Sequence, residues 1–223
     1  MTDQESGSRV LIPAGAVSLE GALHVPSAAA GVVIFSHGSG SGRLSPRNQY
    51  VASQLRAAGL GTLLLDLLTE DEDRDYEMRF DIDLLTQRLA NAVEFVRNDT
   101  ATKTAQIGLF GASTGAASAL RVAAVMPDNV AAVVSRGGRP DLTGSRALGQ
   151  VRAPTLLIVG GLDTDVIELN RSAQAALVNC KSELRIVPGA SHLFEEHGAL
   201  EKVARLSGDW FMQHLSPGAG AVD

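Results

Sequence analysis

The stretch Ile107-Gly108-Leu109-Phe110-Gly111-Ala112-Ser113-Thr114-Gly115-Ala116-Ala117-Ser118-Ala119-Leu120 decides how this chain folds. A short, continuous apolar run, Ile107–Phe110, has the pattern of a strand buried on both faces. An alanine-rich segment with helical character follows and closes at Met126-Pro127. Between them stands Gly111-Ala112-Ser113-Thr114-Gly115, a Gly-x-Ser-x-Gly in a strand-to-helix context. The reason for that spacing is steric. A sharp turn forces the serine into a strained backbone conformation, and its neighbours two residues away must be tiny so that strand and helix can approach. The strain exposes the hydroxyl at a helix N-terminus, where developing negative charge is stabilised. Taken alone, the same residues also fit a tight turn with a serine N-cap.

The same alternation extends in both directions. Apolar runs recur at Val32–Phe35, Thr62–Leu65, Val130–Val134, Thr155–Val159 and Leu184–Val187. Helical periodicity fills the gaps. Ser45-Pro46 starts a helix that should run to about Gly59. Leu85, Leu89, Ala92, Val93 and Val96 form one apolar stripe, and Leu200, Val203, Leu206 and Trp210 another. Strands alternating with helices imply an α/β protein with a parallel sheet and right-handed crossovers. Arg9–Ile12 and Ser18–Val25 read as a hairpin at the sheet edge, giving eight strands of which the last six are parallel. Residues 1–8 and 216–223 read as loose tails around a single domain at 9–215, and Glu70–Glu77 as a solvated loop.

In such sheets the working residues lie beyond the carboxyl ends of the strands. A serine needs a base, and the base needs an orienting carboxylate. Thr155–Val159 is followed by Gly160-Gly161-Leu162-Asp163-Thr164-Asp165, and Leu184–Val187 by Pro188-Gly189-Ala190-Ser191-His192. Ser113, Asp163 and His192 therefore stand as candidate nucleophile, acid and base. Asp165 and His197 are the alternatives. Asp163 is preferred because it lies nearer the strand end, with Asp165 better placed to cap a helix starting near Val166. His192 is preferred because it directly follows the Gly189 turn. Oxyanion donors are expected from the backbone N–H groups of Thr114 and of Ser39, in the loop His37-Gly38-Ser39-Gly40, which His37 should support. Arg43, Arg47 and Arg136 follow strands at the same edge. They are candidates for binding an anionic substrate, against a structural role in pairing with Asp66, Asp81 or Asp141.

Composition bounds the rest. At roughly 150 residues per domain, 223 residues make one domain better than two. With 19 Lys and Arg against 25 Asp and Glu, the net charge of −6 argues against nucleic-acid or anionic-membrane partners. Cys180 is the only cysteine, which excludes an internal disulfide or a multi-cysteine metal site. No run is long enough to span a membrane, and the polar start lacks a signal-peptide plan, so a cytoplasmic monomer or homodimer with no metal or cofactor is expected.

These residues resemble the α/β-hydrolases, and within them the dienelactone-hydrolase-like group. The resemblance covers about residues 9–215. It is carried by His37-Gly38-Ser39-Gly40, Gly111-Ala112-Ser113-Thr114-Gly115, Gly160-x-x-Asp163-x-x-Val166 and Gly189-x-x-His192. Ser45-Pro46-Arg47-Asn48 and Ser135-Arg136-Gly137-Gly138-Arg139-Pro140-Asp141 are similar to a bacterial subgroup sometimes found beside, or fused to, a phosphoribosyltransferase. The resemblance implies a serine hydrolase, with a functional link to such a transferase. Dienelactone hydrolases proper use cysteine at the elbow; Ser113 favours small carboxylic esters, with lactones the alternative. The segment Arg136–Pro154 is too short for a helical cap, so an open site is expected. Two rivals of other classes are a nicotinamide-dependent oxidoreductase and a non-catalytic binding protein. The first would rest on the loop Gly38-Ser39-Gly40-Ser41-Gly42, but Arg43 stands where the third glycine of the dinucleotide fingerprint belongs.

Overall fold

The structure is a computed structural model that describes residues 7–215. Eight strands form one sheet: β1 (Ser8–Ala14), β2 (Val17–His24), β3 (Val32–Ser36), β4 (Gly61–Leu65), β5 (Ile107–Ala112), β6 (Ala132–Arg136), β7 (Thr155–Gly160) and β8 (Ser182–Val187). Their order is β1-β2-β4-β3-β5-β6-β7-β8. β2 runs antiparallel to both β1 and β4, and the remaining pairings are parallel. The helices are α1 (Pro46–Ala57), α2 (Glu70–Asp73), α3 (Ile82–Asn98), α4 (Thr114–Val125), α5 (Ser145–Leu148), α6 (Thr164–Ala176) and α7 (Ala199–Leu215). This is an α/β-hydrolase fold, and among the described residues no cap domain interrupts it.

Alternation along the central strands builds two cores. Val33 and Phe35 of β3 and Phe110 of β5 pack with α1 and α7 on one face. Val32, Ile34 and Leu109 point the other way and pack with α3 and α4. All six positions are essentially sealed from solvent, which is why these strands read as continuous apolar runs. The α3 stripe Leu85, Leu89, Ala92, Val93 and Val96 is buried as its spacing implies. Ser45 caps α1, accepting from the Asn48 N–H, with Pro46 in the first turn.

Three expectations shift. β1 starts at Ser8, so the first tail is shorter by that residue; the rest of the proposed tails, apart from Gly7, lies outside the described residues. β6 runs Ala132–Arg136 rather than Val130–Val134. Val130 is buried in the turn ahead of the strand, whereas pairing with β5 continues to Ala112↔Arg136. Apolar runs report burial, while hydrogen-bond register defines the strand. Glu70–Glu77 is not simply a loop: α2 begins at a capping box in which Thr69 and Glu72 satisfy each other's backbone N–H. Arg136–Pro154 holds a 3-10 turn, Pro140–Thr143, and the single turn of α5.

Candidate active site

Ser113 joins β5 to α4 with φ 51° and ψ −122°. A non-glycine residue enters this region only when its surroundings impose it. The flanking glycines show how. A Cβ on Gly111 would lie 2.5 Å from the Ala116 α-carbon, and one on Gly115 2.2 Å from the Ser36 carbonyl oxygen. Hydrogen bonds complete the clamp. The Ser113 N–H donates to the Arg136 carbonyl at 3.2 Å, and the Ser113 carbonyl accepts from the Arg139 N–H at 3.0 Å. The hydroxyl makes no capping bond to α4, so the reading of Ser113 as an ordinary N-cap does not hold.

Asp163 ends the turn after β7 and stands at the N-cap position of α6, yet its carboxylate caps nothing. It accepts a hydrogen bond from His192 Nδ1 at 2.6 Å instead. α6 starts at Thr164, so Asp165 lies in its first turn rather than capping a helix from Val166. Asp165 and His197 are both exposed. The His192 loop is pinned from below. A Cβ on Gly160 would sit 2.4 Å from the carbonyl oxygens of Ala190 and Ser191, and the Leu162 N–H donates to the Ala190 carbonyl at 2.9 Å. Phe194, sealed in the core, holds a left-handed φ of 57° and anchors the far side of the loop. Sequence reading missed Phe194, because a left-handed phenylalanine leaves no pattern.

No hydrogen bond joins His192 to Ser113. The two are linked through residues 136–139. Arg136 and Arg139 bond the Ser113 backbone, and a Cβ on Gly137 would lie 3.6 Å from His192 Cε1. Such contacts are commonly loose before substrate arrives.

The loop after β3 packs on the elbow: a Cβ on Gly38 would be 3.0 Å from Ser113 Cβ. His37 is buried, accepting from the Leu67 N–H at Nε2 (2.9 Å), which leaves Nδ1–H to donate to the Gly38 carbonyl (3.0 Å). Desolvation lowers its pKa below the usual histidine value, more than the Gly38 bond raises it. His37 thus ties the loop to the exit of β4. The Ser39 N–H donates to Thr114 Oγ1 at 3.0 Å rather than pointing unengaged at Ser113. Thr114 opens α4, so its own N–H has no intrahelical carbonyl to meet.

The three arginines separate. Arg43 is neutralised by Asp66 and Glu20, with its N–H donating to Asp66 Oδ1 at 2.7 Å. Arg47 Nη1 meets Glu195 Oε1 at 2.9 Å, while its Nε is buried without an acceptor. Arg136 is only 7% exposed and has no acidic partner, and its Nε and Nη1 are buried and unsatisfied. Burial, with Arg47 nearby, pushes its pKa down to about 10. A cavity of about 650 Å³ opens beside the oxyanion loop, lined by Ser39, Arg43, Ser45, Arg47, Asp66 and Thr69 among others.

Fold and elbow together define an α/β-hydrolase. Residues 19–210 match the model of the dienelactone hydrolase family, and the chain belongs to that family. It is 51% identical to a dienelactone hydrolase from Anabaena variabilis of known structure, covering 95% of this chain and 99% of that one with a TM-score of 0.92. A serine hydrolase homologue from Coxiella burnetii shares the fold at a TM-score of 0.75 and 22% identity, covering 92% of this chain and 97% of that one. The chain is also 54% identical over 206 residues to a Mycobacterium tuberculosis protein named "Putative phosphoribosyl transferase". That match takes in 92% of this chain and 46% of the relative, so the chain spans about half the length of the curated relatives it matches. Family and fold mark a hydrolase. Among the described residues no helix is long and apolar enough to cross a membrane.

Proposed function

We propose that the chain is a serine hydrolase that cleaves small carboxylic esters through an acyl-enzyme. The observation that carries this reading is the 2.6 Å bond from His192 Nδ1 to Asp163, made at the strand edge that also presents the strained Ser113. With Nδ1–H committed to Asp163, Nε2 is the nitrogen left to take a proton. Ser113 Oγ attacks the ester carbonyl, its proton passes to His192, and the C–O bond to the alcohol breaks as His192 returns that proton to the leaving alkoxide. Water, deprotonated by the same imidazole, then attacks the acyl carbonyl; the bond to Ser113 Oγ breaks, the imidazolium returns its proton to Oγ, and the acid leaves. The Thr114 N–H and the Ser39 N–H, the latter exchanging Thr114 Oγ1 for the developing oxyanion, are the assigned donors. A serine at the elbow favours simple esters; lactones are the second reading, supported by the family name. A partnership with a phosphoribosyltransferase is suggested by the name of the longer relative.

The test is hydrolysis of 4-nitrophenyl acetate. Ser113→Ala should lower kcat by about 10⁶ and Asp163→Asn by about 10⁴, as in other triads. A Ser113→Ala protein that keeps most of its activity would sink the assignment.

A further inference from the structure

The sheet ends on β1 and β8, and the two ends are built differently. An edge strand leaves half of its N–H and C=O groups without a ladder, which invites another strand to pair with it. β1 carries Pro13, which has no N–H to offer. β8, Ser182-Glu183-Leu184-Arg185-Ile186-Val187, holds neither proline nor glycine. Its pairing with β7 says which of its groups are spare. The Thr155 N–H donates to the Lys181 carbonyl and the Gly161 N–H to the Val187 carbonyl. The backbone groups of a strand face its two sides in alternation. The odd-numbered residues of β8 therefore serve β7, and Ser182, Leu184 and Ile186 face outward. A side chain, Gln174 Nε2 of α6, donates to the Ser182 carbonyl at 3.3 Å, and no backbone group bonds this outward row among the described residues.

Side chains select the partner. Glu183 and Arg185 lie on the same face of β8, where Arg185 Nη2 donates to Glu183 Oε2 at 2.6 Å. A second copy of β8, laid antiparallel with a two-fold axis at Leu184, sets outward residue against outward residue: Ser182 on Ile186, Leu184 on Leu184, Ile186 on Ser182. Each such pair exchanges two backbone hydrogen bonds. The same register sets Glu183 of each copy opposite Arg185 of the other, and directly opposed unlike charges stabilise a strand pair. Moving the axis brings like charges together. At Glu183, that residue meets itself and Lys181 meets Arg185; at Arg185, that residue meets itself. An axis at Ser182 or Ile186 leaves half of the strand unpaired. A parallel arrangement gives a head-to-tail assembly with no closure. On the opposite face Leu184, half-buried against Val166 and Ile167 of α6, meets its own copy beside the exposed Ile186.

We propose that β8 is a self-association seam: two copies of this chain pair antiparallel along it about a two-fold axis at Leu184, joining their sheets into one. Gln174 then yields the Ser182 carbonyl to the Ile186 N–H of the second copy. The seam is separate from the chemistry at Ser113.

Sedimentation velocity of the full chain tests it. Concentrations up to about 100 µM, enough to reveal a micromolar Kd, should show a dimer in equilibrium with monomer. Glu183→Arg and Arg185→Glu each turn the cross-seam attractions into repulsions, and each should raise the Kd about tenfold or more. The double variant Glu183→Arg/Arg185→Glu exchanges the charges and should dimerise as wild type does. An equimolar mixture of the two single variants should associate more tightly than either alone, because one then offers only cations and the other only carboxylates at these two positions. Far-UV circular dichroism checks that each variant is folded. A wild-type chain that stays monomeric at every concentration overturns the proposal. So do single variants that dimerise as wild type does, or a double variant and a mixture no tighter than the single variants.

Discussion

Ser113 carries a backbone conformation that the chain as a whole must hold in place, and the residues around it are explained by that need. Gly111 and Gly115 have no side chain because neighbouring backbone occupies the space. His37 serves the same end by a different route. Its imidazole is neutral, accepting from Leu67 and donating to Gly38, so it braces the oxyanion loop only while uncharged. Its pKa is lowered on folding, chiefly by desolvation, whereas an unfolded histidine titrates near 6.5. The sign follows from linkage. Below about pH 6.5 the unfolded chain binds a proton that the folded chain refuses, so stability rises with pH and this contribution is lost as pH falls. Urea unfolding of wild type and His37→Gln at pH 7.5, 6 and 5 should show the wild-type advantage shrinking toward acid; parallel pH dependences would remove His37 from this role.

At the scale of elements, the site is made by strand ends meeting loops at backbone distance. Gly115 is the closest such meeting, with the end of β3 within 2.2 Å of where its Cβ would stand. Gly115→Ala should therefore displace α4 from β3 and lower stability by more than about 2 kcal/mol, the range of severe steric substitutions. A urea midpoint close to wild type would contradict the proposed packing. The strand-turn-helix order was legible because period and punctuation coincide: apolar run, small residues, alanine-rich helix. Asp163 and His192 came from the residue that follows each run. The start of α6 was misplaced by two residues, since nothing in Asp163-Thr164-Asp165 says which acid stands at the helix entrance. α2 could have been found, because Thr69-x-x-Glu72 is a capping box; its acidic composition drew attention to solvent instead. The end of β6 could not, because Ser135 and Arg136 are polar and only pairing with β5 places them in the strand.

Across the whole molecule, sequence pattern gave the layers and the edge on which the working residues lie, but not the long-range contacts that tune them. The Ser39–Thr114 bond spans 75 positions, and the solitary burial of Arg136 depends on what every surrounding element fails to provide. Arg43, Arg47 and Arg136 looked alike in sequence, and only packing assigns carboxylates to the first two. Such contacts arise where distant segments converge, and local periodicity is silent about them. The proposed chemistry turns on one atom, Ser113 Oγ. The most direct measurement is mass spectrometry of the protein treated with a fluorophosphonate, with ester hydrolysis followed in parallel. One phosphonyl group on the Ser113 peptide, accumulating as activity disappears and absent from Ser113→Ala, is the expected result. Activity that survives full labelling of Ser113, or that disappears with the label on another residue, would contradict the account.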